Sequence, residues 1–508
     1  MSKRKKASSS FILELGLVVS QSQEKDLLVR FDLARQLYNA CLGEALRRLN
    51  LMRESKAYQK ARAMPKSKER TQCFKDLNTA FGFSDYEIQA YGTACKNACC
   101  FKDHLDVHVC QKIATRAFNA VREYAFGKRG RPRFKGKNHL DSVEGKNNQS
   151  GIRWREDRVK WSGLVLPARF DPKDKHSVQV YGLEHKVKFV RIMRRRIKGK
   201  TRFFVQLVLE GKPRQKHEAG NETVGLDLGP STIACVGETD AFLDGFCSEL
   251  LPIQREIRKI QRKMDRSRRA MNPDNYNPDG TIKPGKKTWK FSARYLADRD
   301  RLSEMHRRLA GTRKRLHGEM ANRVLSMGAV IKTEDVSYKA WQRMFGKSVG
   351  FRAPGMFVEI LCRKAGNAGG KVNKLPLSNA LSQICHNCGA VQKKPLSTRW
   401  HRCDCGITAQ RDLYSAFLAR NVSGSGLDTR QAQKSWPGAE PLLRCAVSRL
   451  SQSANGGFFP SSFGISGVRA DRTPKAVKPN VEAGDDVPVT HQRCECRREP
   501  RRDMRRFR

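Results

Sequence analysis

The stretch Thr223-Val224-Gly225-Leu226-Asp227-Leu228-Gly229 decides how this chain is read. It is a short apolar run that carries one carboxylate and ends in glycine. It reads as a buried strand running into a turn. A carboxylate in that setting is costly unless a cation or hydrogen bonds compensate it. Two further acids extend the pattern. Glu334 ends a second apolar run, Ala329-Val330-Ile331-Lys332-Thr333-Glu334, and Asp412 opens a helix just after a group of cysteines. Three acids delivered by two strands and a helix are the donor set of two-metal phosphodiester hydrolysis. Taken singly, Asp412 suits helix-capping duty and Glu334 a surface position. The combination carries the weight.

Outward from these acids the chain is strongly basic. Its 508 residues hold 100 Lys and Arg against 50 Asp and Glu, a formal net charge of +50. Soluble surfaces mix both signs at modest net charge, so this excess points to a polyanionic partner. The residues from 423 onward hold 16 Lys and Arg and 9 Asp and Glu, which leaves +43 in the body of the chain. The charge therefore belongs to folded domains rather than to a basic tail. The length suits two to four domains. No run reaches the roughly 18 apolar residues of a membrane helix, and no complete secretory signal follows the basic start. An intracellular protein is expected, with its 16 cysteines as thiols or metal ligands.

Cys385-His386-Asn387-Cys388-Gly389 and Cys403-Asp404-Cys405-Gly406 read as two knuckles. Each ends in glycine, which permits the tight turn that brings backbone amides to the sulfurs. The thiolates Cys385, Cys388, Cys403 and Cys405 suit a closed, structural tetrahedral zinc site. The second knuckle is C-x-C rather than C-x-x-C, and His401 is an alternative ligand there. A looser group, Cys95, Cys99, His104, His108 and Cys110, lies in helical sequence, where cysteine acts as a small hydrophobe.

Residues 11–19 alternate as a strand, and 24–49 carry a helical stripe of Leu27, Phe31, Ala34, Tyr38, Leu42, Ala45 and Leu49. Helical patterning continues to about 128. The run at 127–137 then places six cations around Phe134. Within it, Arg131, Arg133 and Lys135 are the expected phosphate contacts. Residues 150–210 alternate like the strands of a small β-barrel or sheet, with Trp154 and Trp161 read as core. The helical block is thus inserted after the first strand of a β-domain. Strongly basic helices are expected at 252–270 and 293–323, as a brace for nucleic acid. From 423 to 508 the text turns rich in Ser, Gly and Pro and reads as mostly disordered.

This order of parts resembles TnpB, the transposon-encoded RNA-guided nuclease, and its relatives the compact type V CRISPR effectors. The resemblance covers about 11–422. It is sharpest over 225–234, 332–337, 382–389 and 403–420, and Gly130-Arg131-Pro132-Arg133-Phe134-Lys135 is similar to a basic motif of that family. The resemblance implies a multidomain α/β fold. Its RNase H-like RuvC nuclease domain would span 216–384 and 407–422, with a zinc ribbon inserted at 385–406. A β-barrel wedge domain would be built from 1–22 and 129–215, with a helical recognition domain at 23–128. It implies that Asp227, Glu334 and Asp412 are the catalytic acids and hold Mg²⁺ or Mn²⁺, while Zn²⁺ is structural. It further implies guide RNA and target double-stranded DNA as partners, cleavage beside a short flanking motif, no membrane, a monomer, and a cytoplasmic, nucleoid-associated location. A conventional DNA transposase and a nuclease-inactive RNA-guided regulator are the alternatives. One departure stands out: many family members carry Asp two residues before the last acid, where this chain has Gln410.

Overall fold

The computed structural model describes residues 9–215, 217–395, 397–424, 426–453 and Phe463. The chain starts with strand β1 (Ser10–Leu17), whose Leu13 and Leu15 are buried. Ser20 then opens α1 (Gln21–Glu54) with a capping box, its side chain accepting from Gln23 N–H while Gln23 returns a bond to the Ser20 backbone. The stripe Leu27, Phe31, Ala34, Tyr38, Leu42, Ala45 and Leu49 is buried. Helices α2 (Lys56–Ala63), α3 (Lys68–Ala80), α4 (Asp85–Ala98) and α5 (Val107–Ala125) follow, and α1, α4 and α5 pack together.

The chain returns to the first sheet with β2 (Ser142–Glu144), β3 (Arg153–Arg155), β4 (Arg158–Trp161) and β5 (Leu164–Arg169). A short α6 (Val178–Leu183) precedes the long hairpin of β6 (Val187–Ile197) and β7 (Lys200–Glu210). The strand order is β2-β6-β7-β1-β5-β4-β3, all antiparallel. Among the described residues no ladder joins the end strands β2 and β3, each three residues long, but the sheet curls on itself: β3 also meets β6, and a Cβ at Gly145, just after β2, would lie 3.1 Å from the Ile152 carbonyl oxygen, just before β3. One joint ties the helices to this sheet. Asp106 caps α5 through His108 and Val109 N–H, and its other oxygen accepts from Trp161 Nε1 at 2.9 Å. Arg30 of α1 lies over the Trp161 ring and donates to the Trp161 and Ser162 carbonyls. Trp154 and Trp161 are both buried, so neither ring is free for stacking.

The second sheet holds the acids. Strands β8 (Glu222–Leu228), β9 (Thr232–Val236) and β10 (Ala241–Gly245) form an antiparallel meander. The basic helices α7 (Leu250–Met271) and α8 (Ala293–Met327) pack as a pair and lead to β11 (Gly328–Glu334), parallel to β8. Helices α9 (Tyr338–Arg352) and α10 (Pro354–Asn367) precede β12 (Lys371–Leu375), parallel to β11. The order is β10-β9-β8-β11-β12. Side chains of β8 alternate between two cores, as a strand buried on both faces requires. Val224, Leu226 and Leu228 join the α7, α8 and α10 side, where Ile257, Leu316 and Phe357 are buried. Gly225 and Asp227 turn to the opposite face.

That opposite face is covered by the last segments. A two-stranded ribbon, β13 (Trp400–Arg402) and β14 (Thr408–Gln410), feeds directly into α11 (Arg411–Arg420). A small hairpin of β15 (Val422–Ser423) and β16 (Gly426–Leu427) leads to α12 (Thr429–Ser453). This corrects the reading of 423–508 as disordered, for residues 423–424 and 426–453. Ala432, Trp436, Ala439, Leu443 and Ala446 recur every three or four residues on α12 and are all buried against the sheet and α11. Burial of that stripe sustains the helix through Pro437 and Pro441, each of which removes a backbone donor. Apart from Phe463, the remainder of that span lies outside the described residues.

Candidate active site and metal centre

Asp227 stands one residue before the end of β8. Two residues earlier, Gly225 lets α11 lie directly on the strand: a Cβ there would overlap the Ala416 carbonyl oxygen and sit 2.6 Å from Arg420 N. This close approach brings the first turn of α11, with Asp412, toward Asp227. Thr232 of the neighbouring strand donates from Oγ1 to Asp412 Oδ2 at 3.0 Å, while Arg411 Nε lies 3.6 Å from Oδ1. At the other end of α11, Lys332 of β11 donates its ammonium to the Arg420 and Val422 carbonyls at 2.9 and 2.7 Å. These cap the C-terminal, negative end of the helix dipole. Both ends of α11 are therefore tied to the sheet that carries Asp227 and Glu334.

Glu334 ends β11, in the strand beside β8. The electrostatics record the convergence. Burial pushes the Asp227 carboxyl well above the usual carboxylate range, and the charges of Asp412 and then Glu334 push it further, against a smaller pull from Arg411. Glu334 is also raised by burial, partly offset by the Leu381 backbone N–H. Crowded carboxylates of this kind favour a bound cation, since a dication relieves both the desolvation and the mutual repulsion. The three acids interact through their charges but do not form a tight ligand cluster.

The four sulfurs are packed more tightly. Cys385 Sγ lies 3.5 Å from Cys405 Sγ, and Cys388 Sγ lies 3.4 Å from Cys403 Sγ. Among the described residues these four form the one group of three or more His, Cys, Asp or Glu whose ligand atoms all lie within 4.8 Å of one another. A metal about 2.3 Å from each of four tetrahedral sulfurs would set them roughly 3.8 Å apart, so the cluster fits. Gly389 and Gly406 adopt φ of 72° and 93°, the left-handed turns expected at the knuckle ends. The Asn387 side chain and then the Ile407 N–H draw the Cys405 thiol down to about 6, toward the thiolate a metal takes. His401 is not in the group: its Nδ1 meets Lys394 Nζ at 2.7 Å and its ring stacks on Tyr414. Cys95, Cys99, His104, His108 and Cys110 do not form such a group either.

Of the expected phosphate contacts, Arg133 and Lys135 line a cleft of about 690 Å³ between α1, α5 and the first sheet. Arg116, Arg129, Lys112 and Arg191 add four more cations to it. Arg131 is exposed and does not line the cleft. Phe134 is 61% exposed and lies over Gly43 of α1.

Several residues that organise these sites were not picked out from the sequence. Asn39 grips the basic loop from both sides, donating to the Lys135 carbonyl and accepting its N–H. Thr232 and Lys332 hold α11. Asn39 carries no sequence signal, since one Asn on a helix is ordinary. Thr232 did carry one: it is the polar residue that opens an otherwise apolar strand.

Fold and site together define a multidomain α/β protein with a crowded acidic centre beside a four-thiol ribbon. Residues 355–418 match the family model described as Cas12f1-like, TNB domain, a span that runs from α10 through the four cysteines to Asp412 and most of α11. No curated protein matches the chain. Among solved structures, similarity is found to a cryo-EM Cas12f1–sgRNA–target DNA complex, at 10% identity over 81% of this chain and 98% of that chain, with a TM-score of 0.42. It is also found to a cryo-EM CRISPR-Cas12f ternary complex, at 13% identity over 79% and 82%, TM-score 0.26. The mini-RNA-guided endonuclease CRISPR-Cas_phi3 is similar at 11% identity over 84% and 92%, TM-score 0.30.

Proposed function

We propose that this chain is an RNA-guided DNA endonuclease of the TnpB and Cas12f kind that hydrolyses phosphodiesters with two metal ions. The observation that carries the reading is the convergence of Asp227, Glu334 and Asp412 on one sheet end, where Asp227 feels both other charges. The order β10-β9-β8-β11-β12, an antiparallel meander followed by parallel strands, supports an RNase H-like nuclease domain. The family match over 355–418 supports the same reading.

Asp227, Glu334 and Asp412 would hold two Mg²⁺ ions. When bound, such ions supply an activated water and stabilise charge on the leaving oxygen. The residues around them do the positioning. Thr232 keeps one Asp412 oxygen turned toward the sheet, Gly225 lets α11 reach β8, and Lys332 anchors the far end of the helix. The four cysteines would hold Zn²⁺ as a structural ion beside Asp412. The cations of the large cleft, Arg133 and Lys135 among them, would take phosphates of guide RNA and target DNA, while base pairing reads the sequence. The transposon setting belongs to this proposal as well.

The test is to purify the protein from cells expressing its own locus and sequence the RNA that comes with it. A defined RNA with a segment from outside the gene is expected; random RNA would overturn RNA guidance. Asp227→Ala is expected to abolish Mg²⁺-dependent cleavage, whose products carry 5′ phosphate and 3′ hydroxyl, and to leave RNA binding intact. Persisting cleavage would remove the acids from the active site.

A further inference from the structure

Gln410 is the residue at which this chain departs from its resemblance, and the structure gives it work to do. It is the last residue of β14 and the N-cap of α11, with extended φ −64° and ψ 129°. Its side chain is 1% exposed, and both ends of the amide are engaged. Oε1 accepts the Leu413 N–H at 2.9 Å, satisfying a donor that the first turn of a helix otherwise leaves open. Nε2 donates, at a long 3.5 Å, to the backbone oxygen of Phe463, which lies 53 residues further along the chain.

Phe463 is itself buried, in the apolar core under α11 and α12. Its ring faces Gly245, where an added Cβ would stand 3.7 Å from Phe463 Cζ. Gly245 is paired in register with Thr232, the residue that donates to Asp412. Asp412 is thus held from two directions that meet at one place. Thr232 grips its carboxylate from the sheet. Gln410 caps the helix turn that carries it, and its amide nitrogen reaches the Phe463 carbonyl.

We propose that Gln410 is a positioning residue for Asp412, supported by the Phe463 carbonyl, so that Phe463 helps to set the geometry of the acidic centre. The inference rests on the two-metal reading above. Glutamine is not among the preferred N-cap residues, because its longer chain seldom reaches the N3 donor in water. Here burial beside Phe463 holds it in reach. The carboxamide also caps the helix without adding a fourth negative charge beside three acids.

The experiment uses the full chain, purified with its zinc, and follows Mn²⁺ binding by calorimetry alongside thermal melting. Gln410→Ala is expected to weaken the Mn²⁺ binding that depends on Asp227 by roughly 10-fold to 100-fold, the usual effect of losing a partner that orients a metal ligand. Gln410→Asn, a strong N-cap, is expected to restore most of that affinity. Phe463→Ala keeps the carbonyl but removes the buried ring that seats it, and is expected to weaken binding in the same direction as Gln410→Ala, with the Gln410→Ala, Phe463→Ala double variant losing little more than either alone. A merely structural role predicts something else: lowered melting with unchanged Mn²⁺ affinity, or equal loss in the Ala and Asn variants. Either result would overturn the proposal. If Asp227→Ala leaves Mn²⁺ binding as it was, the metal-centre reading itself fails and takes the positioning role with it.

Discussion

Asp227 is held in the protein at a cost that its proposed role explains. Its raised pKa means that the folded chain keeps the proton longer than the unfolded chain does. The sign follows from linkage: the penalty is absent below the unfolded value near 3.8 and grows as pH rises toward the raised folded value. Asp227→Asn removes the repulsion from Asp412 and Glu334. At neutral pH and without divalent metal it should therefore stabilise the protein, by roughly 0.5–2 kcal/mol, while ending cleavage. Melting in EDTA at pH 7.5 and again near pH 4 checks this, with the gain shrinking at the lower pH. His317 offers the opposite case, away from any metal. It is fully buried between Phe246 and Phe357, with Nε2 against the Arg352 carbonyl, and burial lowers its pKa from 6.5 to about 4. A depressed histidine leaves stability intact above pH 6.5 and removes it as pH falls from 6.5 toward 4. His317→Gln should flatten the acid limb of the stability curve by on the order of 2–3 kcal/mol. Urea unfolding of both proteins at pH 7 and pH 4.5 measures the difference in slope.

Among the elements, α11 is the one on which the site depends, because a single rigid piece carries Asp412 at one end and meets Lys332 at the other. Its seat on β8 tolerates no side chain at Gly225. Gly225→Ala would drive the helix off the strand, with an overpacking penalty of roughly 3 kcal/mol or more. The expected outcome is loss of cleavage together with a lower melting temperature; a variant that melts and cleaves like the parent would remove the close approach from the argument. The strands, α1, the basic helices and the knuckles were legible in the sequence, because each repeats a local period or spacing. Helix α12 was not, although its buried stripe at 432, 436, 439, 443 and 446 has helical spacing. Two internal prolines and the Ser/Gly-rich text after it masked the period. What overrides them is tertiary: Trp436 packs on His386, Tyr414 and Phe417, and Gln433 donates to the Asn387 carbonyl.

At the scale of the whole molecule, that same packing joins the cysteine ribbon to the acidic centre. His386 of the first knuckle bonds the Tyr414 hydroxyl at 2.7 Å, and Tyr414 lies two residues beyond Asp412 on α11. Removing a metal held by the four thiolates should therefore disturb more than the ribbon. Stripping zinc with a strong chelator is expected to expose 385–406 to protease and to cut Mg²⁺-dependent cleavage at least tenfold, with zinc restoring both. Unchanged cleavage in metal-free ribbon would show the two centres to be independent. Among the described residues no helix is long and apolar enough to cross a membrane. Among the described residues the cationic excess is spread over helices, the first sheet and the basic loop rather than gathered on one element.

By itself the sequence determined which residues are chemically able to act: three acids at element ends, four thiols at knuckle spacing, and a cationic loop. Residue type and local period are properties of neighbours in the chain, so they can be read there. Which acids meet, and what holds them, was decided by tertiary structure alone. Gly225 against Ala416, Thr232 against Asp412, Lys332 against Arg420 and Gln410 against Phe463 are contacts between segments 53 to 191 residues apart. Such contacts form only when a whole sheet and the helices on both its faces pack at once.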